Sequence, residues 1–258
     1  MALKLNTHLR QFLACGGSLQ QALRGGEIRI YGSSRPANAD LAPGAAPLAV
    51  ITAAGAVRVA EVCPTGTLTL GGSAGSLTSV THDGKEVLGA TVEFAGDLAT
   101  TAGLVAQQIN ASQAVPVVYA TASGPAITLH AMPGVGASGN AKVVAATAGG
   151  GLTATTANMA GGVNAANGLL YGAATAGALP KLATQVWSGT ALAGGTAVWA
   201  RAVGAVADDD TANPTHPRIF RIDGSFGVGS GDFQGATTTV VNGAPQTIVG
   251  GSFVMGGA

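Results

Sequence analysis

The chain has 258 residues, a formal net charge of zero, 47% hydrophobic residues, only 9% charged residues and 41 glycines. That balance argues against a disordered chain, which normally carries high charge and few apolar residues, and it offers no basic field to nucleic-acid phosphates. An average soluble domain has about 25% charged residues, so a surface this poor in charge suits burial against partners and points to a subunit of an assembly.

Met1–Leu23 reads as two short helical turns. Asn6 or Thr7 caps the first, and Leu9, Phe12 and Leu13 fall on one face. Gly16-Gly17 interrupts, Ser18 caps the second, and Gly25-Gly26 ends it. Leu9, Phe12 and Leu23 are expected to bury against the sheet that follows; the rival reading is a free amphipathic arm that clasps a neighbouring subunit. Glu27-Ile-Arg-Ile-Tyr31 alternates with period two and predicts a strand with Ile28 and Ile30 on its buried face. Leu48–Thr52 is a short strand. Val57–Val62 is another, with Val57, Val59 and Val62 inward and Arg58 and Glu61 as its polar positions.

The texture changes at Pro64-Thr65-Gly66. Thr67–Leu70 opens a strand, and Leu77–His82 and Glu86–Phe94 flank Asp83-Gly84, a dipeptide that tolerates the positive φ of a tight hairpin. Asp97 or Thr100 caps a helix to about Asn110, with Leu98, Val105 and Ile109 on its apolar side and Leu104 at the margin. Strands follow at Val117–Thr121 and Ala126–Ala131, then a glycine-rich loop over Gly134–Asn140, an apolar Lys142–Ala146 and a Thr-rich Leu152–Ala157. Residues 64–164 therefore read as an inserted α+β unit. Strands resume over Leu179–Ser188, Thr196–Val203, Arg218–Gly224, Ala236–Val241 and Gln246–Met255, with Asp208-Asp209-Asp210 in an exposed loop. The fold class is mainly β: a sandwich- or barrel-like outer domain of residues 1–63 and 165–258 with a short N-terminal helical segment, interrupted by the 64–164 module.

Little of this chain is arranged for chemistry. His8, His82, His130 and His216 are isolated, apart from His82 beside Asp83 at the hairpin, which reads as an exposed pair. Cys15 and Cys63 have no close metal-ligand partners and read as reduced, semi-buried thiols, with a disulfide, which needs an oxidising compartment, as the alternative. The Asp208–Asp210 run lacks the spaced pattern of a calcium loop. Gly71-Gly72, Gly134–Gly139, Gly149–Gly151 and Gly227–Asp232 lack phosphate-loop endings and read as tight turns. No Gly-x-Ser-x-Gly elbow stands between a strand and a helix. Trp187 and Trp199, placed on neighbouring strands, read as core or interface anchors, with sugar stacking as the alternative. No cofactor, metal or catalytic residue is expected. No window reaches the roughly 18 apolar residues of a membrane span, and no secretory core follows Lys4 and Arg10.

The opening Ala2–Arg10 and the run Gly26-Glu-Ile-Arg-Ile-Tyr-Gly-Ser-Ser-Arg-Pro-Ala-Asn-Ala-Asp40 resemble a family of small proteins encoded among the virion genes of tailed bacteriophages and prophages. Trp187-Ser188-Gly189, Gly195-Thr-Ala-Val-Trp199, Arg221-Ile-Asp-Gly-Ser225 and a Thr-rich tail follow in that family's order. Phe226–Phe233 stands near where the family tends to have a Gly-x-Ser-Gly-Ala-Asp-like turn. The resemblance covers roughly residues 2–62 and 165–258. The middle unit is similar to modules of phage tail and fibre proteins, on Gly66-Thr-Leu-Thr-Leu70, the hairpin and Ile109-Asn110-Ala111. The resemblance implies a structural protein of the virion, assembled in the host cytoplasm, with a head decoration or cement role favoured and, as alternatives, a tail component (tail tip, baseplate or fibre-attachment protein) or a carbohydrate-binding module for host recognition. Its partners would be the major capsid protein or other virion proteins and further copies of itself, as dimer or trimer, with neither nucleic acid nor membrane. Host glycan contact would run through residues 64–164. Leu9, Phe12 and Leu13 of the arm, with Ile28, Ile30, Tyr31, Trp187 and Trp199 of the strands, are the interface candidates.

Overall fold

The computed structural model describes residues 3–14, 16–112, 117–214 and 218–254. The chain divides into two units, residues 1–61 with 165–258, and residues 62–164. In chain order the first unit opens with β1 (Lys4–Leu5), α1 (Thr7–Ala14), α2 (Leu19–Leu23), β2 (Glu27–Tyr31) and β3 (Ala49–Ala53). The second holds β4 (Thr65–Gly72), β5 (Ser76–His82), β6 (Lys85–Glu86), β7 (Val92–Glu93), α3 (Leu98–Ser112), β8 (Val118–Ser123), β9 (Ala126–Ala131), β10 (Val144–Gly149) and β11 (Leu152–Ala160). The first resumes with β12 (Ala178–Pro180), β13 (Trp187–Thr190), β14 (Gly195–Thr196), β15 (Trp199–Val203), β16 (Arg221–Gly227), β17 (Phe233–Gly235), β18 (Thr239–Val240), β19 (Pro245–Gly250) and β20 (Ser252–Val254).

The first unit is a closed seven-stranded barrel in the order β16-β15-β2-β3-β13-β19-β17. Every pair in it is antiparallel except β16–β17, which is parallel and closes the ring. Parallel neighbours ordinarily need a long crossover, yet here only residues 228–232 intervene. Glycine makes that possible: Gly229 and Gly231 hold positive φ of 64° and 90°. Asp232 pins the loop, accepting from the Ser225 amide and hydroxyl at 2.8 Å each. The glycine-rich stretch is thus the barrel's clasp.

Alternation decides the two faces of the barrel wall. Ile28, Ile30, Ile51, Ala200, Ala202 and Ile222 share one fully buried, apolar face. Glu27, Arg29, Tyr31, Trp199, Arg201, Arg221 and Asp223 share the other, which the loops around residues 40 and 210 cover. The apolar face therefore fills the barrel, and the charged face lies between its wall and the covering loops. Asn6 caps α1, accepting from the Leu9 amide at 3.1 Å, and Phe12 stacks on Phe220 with centroids 4.9 Å apart. Ser18 caps α2 through the Gln21 amide.

In the second unit one sheet runs β10-β5 with β6 and β7 on the far edge of β5, and the other runs β11-β4-β9-β8. Leu68, Leu77, Val80, Ile127 and Leu129 make the core together with Ala102, Val105 and Ile109 of α3. Asp97 caps that helix, accepting from the Thr100 amide at 2.8 Å. The turns Gly71–Gly75 and Gly149–Gly151 meet backbone to backbone. A Cβ on Gly72 would stand 2.0 Å from the Gly151 oxygen, and one on Gly75 2.0 Å from the Gly149 oxygen, so close approach explains these glycines. Asp83 and Gly84 have φ of 51° and 76°, as the hairpin requires.

Several expected strands differ. Val57–Val62 makes only isolated bridges, and its faces are reversed: Val57 is 86% exposed, Val59 and Val62 are also exposed, and the Arg58 and Glu61 side chains are buried. The reason is electrostatic, since Arg58 is drawn inward to the Glu27 carboxylate at 2.8 Å. Leu179–Ser188 is cut into β12 and β13 by a turn in which the Gln185 side-chain oxygen accepts from the Leu170 amide and the Trp187 indole. Thr196–Val203 breaks because β14 pairs with β18 while β15 pairs with β2 and β16. Glu86–Phe94 yields only β6 and β7. Glu86 folds back to accept from the amides of Val80 and Leu88, and Gly89 takes a φ of 78°. β1 has no counterpart among the expected strands, and Met255 lies outside the described residues.

Candidate functional site

Charge is scarce in this chain, and a third of it is gathered in one place. Of 24 Lys, Arg, Asp and Glu residues, four arginines and four acids interlock on the outer face of β2, β15 and β16. Arg201 forks onto Asp223, with contacts of 2.7 and 2.9 Å, and reaches Asp210 at 3.1 Å. Arg29 bridges Asp210 at 2.7 Å and Glu27 at 2.8 Å. Arg58 closes on the other Glu27 oxygen at 2.8 Å. Arg221 forks onto Asp208, and its Nη1 donates to the Thr211 carbonyl at 2.9 Å. The Tyr31 hydroxyl donates to Asp210 at 2.7 Å, and its ring stacks on Trp199 with centroids 4.3 Å apart.

The sequence places these residues by alternation. Arg29, Arg201 and Asp223 are register partners across three strands, so odd positions of each strand meet on one face. Burial alone would raise the Asp210 pKa, but Arg29, the Tyr31 hydroxyl and Arg201 together hold it below the usual carboxylate range. Burial and the Asp210 charge push the Tyr31 phenol far above its ordinary value. Every carboxylate here is neutralised by a guanidinium, which makes the array a framework for the loops rather than a reactive centre.

The expected solvated Asp208–Asp210 loop is therefore corrected: Asp208 is 7% exposed, and Asp208 and Asp210 face arginines. Those same guanidiniums occupy the oxygens that a calcium ion would need. Among the described residues no three His, Cys, Asp or Glu side chains gather as metal ligands. Cys15 and His216 lie outside the described residues, and Cys63 is half-buried. His82, expected as an exposed partner of Asp83, is half-buried, with its Nε2 buried and unbonded, and Asp83 pairs with Lys142 instead.

The interface candidates are drawn into the chain's own core. Leu9, Phe12, Ile28, Ile30, Tyr31, Trp187 and Trp199 are each at most 7% exposed, and only Leu13 is half-buried. α1 lies against Phe220, as the packed reading of the arm expects. The two tryptophans are not on neighbouring strands: β2 and β3 stand between β15 and β13. Trp199 lies on the charged face, and Trp187 meets Tyr171 edge-on at 5.2 Å. The large hydrophobic side chains that the first unit does expose are aliphatic. Val186 and Val249 flank the Trp187–Ile248 register pair, and Leu192 and Val241 are more than half exposed.

In the second unit an open groove of about 480 Å³ lies between Thr91–Ala95 and α3. Its helical wall is Leu104, Gln107, Gln108 and Ala111, at i, i+3, i+4 and i+7, a stripe adjacent to the core-facing one. Opposite stand Thr91, Glu93 and Phe94. Phe94 packs by one side on the core, and its amide is fixed to the Gly75 carbonyl at 2.8 Å. Leu104, 42% exposed, is the one sequence signal for this groove, as an apolar residue at the margin of the helix face.

Among the described residues no helix is long and apolar enough to cross a membrane. Comparison with known proteins finds no matching family model, no matching curated relative and no matching solved structure.

Proposed function

We propose that this chain is a structural subunit of a tailed-bacteriophage virion, a head decoration protein whose barrel lies on the capsid and whose inserted unit faces outward. One observation carries the reading. Two of the stretches that resemble virion proteins, Glu27–Tyr31 and Arg221–Ser225, supply Glu27, Arg29, Arg221 and Asp223, half of the barrel's charged framework, and Trp199 of a third stacks on Tyr31. They are framework residues, so the resemblance is one of architecture and implies shape and adhesion without turnover. Gathering eight of the chain's 24 charges inward leaves a surface with few charges and several exposed valines, which associates more readily than a densely charged one. The contact surface of the barrel is then Val186, Leu192, Val241 and Val249 rather than the buried side chains of the arm. Many weak contacts of this kind hold firmly on a lattice, because each raises the effective concentration of the next.

Mass spectrometry of washed particles of the parent phage tests the proposal. The chain should be present, and its absence sinks the reading. Densitometry then separates head from tail: on the order of hundreds of copies for a decoration protein, and about three to twelve for a tail component, as ring symmetry dictates.

A further inference from the structure

The groove beside α3 combines a partly buried aromatic residue, Phe94, with side chains that have nothing to bond. Thr91, Glu93, Gln107 and Gln108 make no side-chain hydrogen bond or ion pair among the described residues. Its volume of about 480 Å³ falls within the range of small-ligand clefts, roughly 300–1,000 Å³. We propose that this groove binds a neutral oligosaccharide, with a pyranose C–H face on Phe94 and Leu104 and hydroxyls on Gln107, Gln108 and Glu93. The proposal rests on reading the inserted unit as the outward, host-facing module.

The lining chooses the ligand class. A pyranose ring has an apolar face and a rim of hydroxyls that both donate and accept. Carboxamides also do both, and a carboxylate accepts from two neighbouring hydroxyls at once. The groove has no basic side chain and carries the Glu93 carboxylate, so sialylated or phosphorylated sugars meet repulsion without a counter-charge. An extended peptide added to the edge of β7 would find a strand of only two residues, too short a ladder for that mode. The open shape makes each site weak, with a dissociation constant on the order of 1 mM, and display in many copies converts that into avidity.

Saturation-transfer NMR on the full chain tests this with about 1 mM neutral tri- to hexasaccharides of glucose, galactose and N-acetylglucosamine, alongside sialylated and phosphorylated trisaccharides. Transfer to ring protons of a neutral sugar is expected. Gln107→Ala with Gln108→Ala should weaken binding about 10-fold or more, and Leu104→Glu, at an exposed position, should abolish it. Thr153→Ala, exposed on β11, should leave it unchanged, and circular dichroism should show native folding for all variants. Transfer to none of the neutral sugars, to charged ones alone, or undiminished in the folded Gln107/Gln108 variant overturns the proposal. Presence in washed particles without sugar binding removes only the groove's role. Sugar binding by a chain missing from particles removes only the virion reading.

Discussion

Asp210 joins two arginines and a tyrosine that lie on two strands. Replacing it by Asn keeps the shape but leaves Arg29 and Arg201 short of negative charge in a buried setting. Breaking one partner of such a pair costs about 3–5 kcal/mol, so Asp210→Asn should lower the barrel's melting temperature by roughly 6–20 °C. Asp83→Asn, at the exposed Lys142 pair, should produce no resolvable shift, because exposed pairs contribute little. Equal effects from the two variants would contradict the framework reading. The pH dependence follows from the same residues. Asp210 is held below the usual carboxylate range by Arg29, Tyr31 and Arg201 against the pull of burial. Its contribution is therefore present above the unfolded value of about 3.9 and lost as pH falls through the folded one. Burial holds His8 and His82 below their ordinary value. Their neutral forms are the folded ones, so stability begins to decline as pH drops below about 6.5. Asp223, pushed up by burial despite Arg201, works in the opposite sense and softens the acid limb. Urea midpoints should thus be flat from neutral to about 9, fall above about 10 as the unfolded chain ionises tyrosines that burial keeps protonated in the fold, fall gently below about 6.5 and fall steeply near 4. His82→Gln should remove part of the gentle step, and a gentle step that it leaves intact would show that His82 plays no part.

Short elements depend on single residues for their ends and crossings. Asn6 is the N-cap of α1, and it also accepts from the Arg221 amide at 3.1 Å and donates to the Ile219 carbonyl at 2.8 Å, fully buried. Asn6→Ala removes the cap and strands buried backbone groups, with an expected loss of about 2–4 kcal/mol in chemical denaturation. Asn6→Asp, which keeps the acceptor, should lose less. Gly189 ends the Trp-Ser-Gly motif where β13 crosses β3, and a Cβ there would lie 1.9 Å from the Val50 oxygen. Gly189→Ala should therefore unpair the β3–β13 edge and produce a chain with a broadened, non-cooperative melt; a native-like melt would show that the strands can shift. At this scale the sequence was readable wherever one local rule governs. Period two located β2, β4, β5 and β9, the Asp97 cap located α3, and Asp83-Gly84 located a hairpin. It was unreadable where a distant group decides. Nothing near Arg58 announces that Glu27 will draw it inward and turn Val57 and Val59 to solvent.

Over the whole molecule, composition marks the interruption well and strand pairing poorly. The change of texture at Pro64 and the small polar run at Asn164–Gly168 stand beside unit limits at 61/62 and 164/165. The order of strands around the barrel, and its closure by parallel β16 and β17, depend on which edges meet, which alternation does not encode. The charged array likewise joins positions from 27 to 223, and no local pattern brings them together. The insertion itself makes the last prediction. Within the barrel unit, Val59 and Ala166 exchange two backbone hydrogen bonds of 3.0 and 3.1 Å, so the chain leaves and returns on an antiparallel pair whose Cα atoms are about 5.5 Å apart. Glu61 is anchored separately, its amide donating to the Ala205 carbonyl at 2.9 Å. Removing residues 62–164 and joining Glu61 to Ala165 through Asn-Gly needs only a tight turn at that pair. Calorimetry should show the excised barrel melting cooperatively within a few degrees of its transition in the full chain. Residues 62–164 alone, which bury their own core around Leu68, Val105 and Ile127, should fold as well. A barrel that melts far lower once excised would mean that the two units hold each other up, and the view of a host fold with a separable passenger would have to be given up.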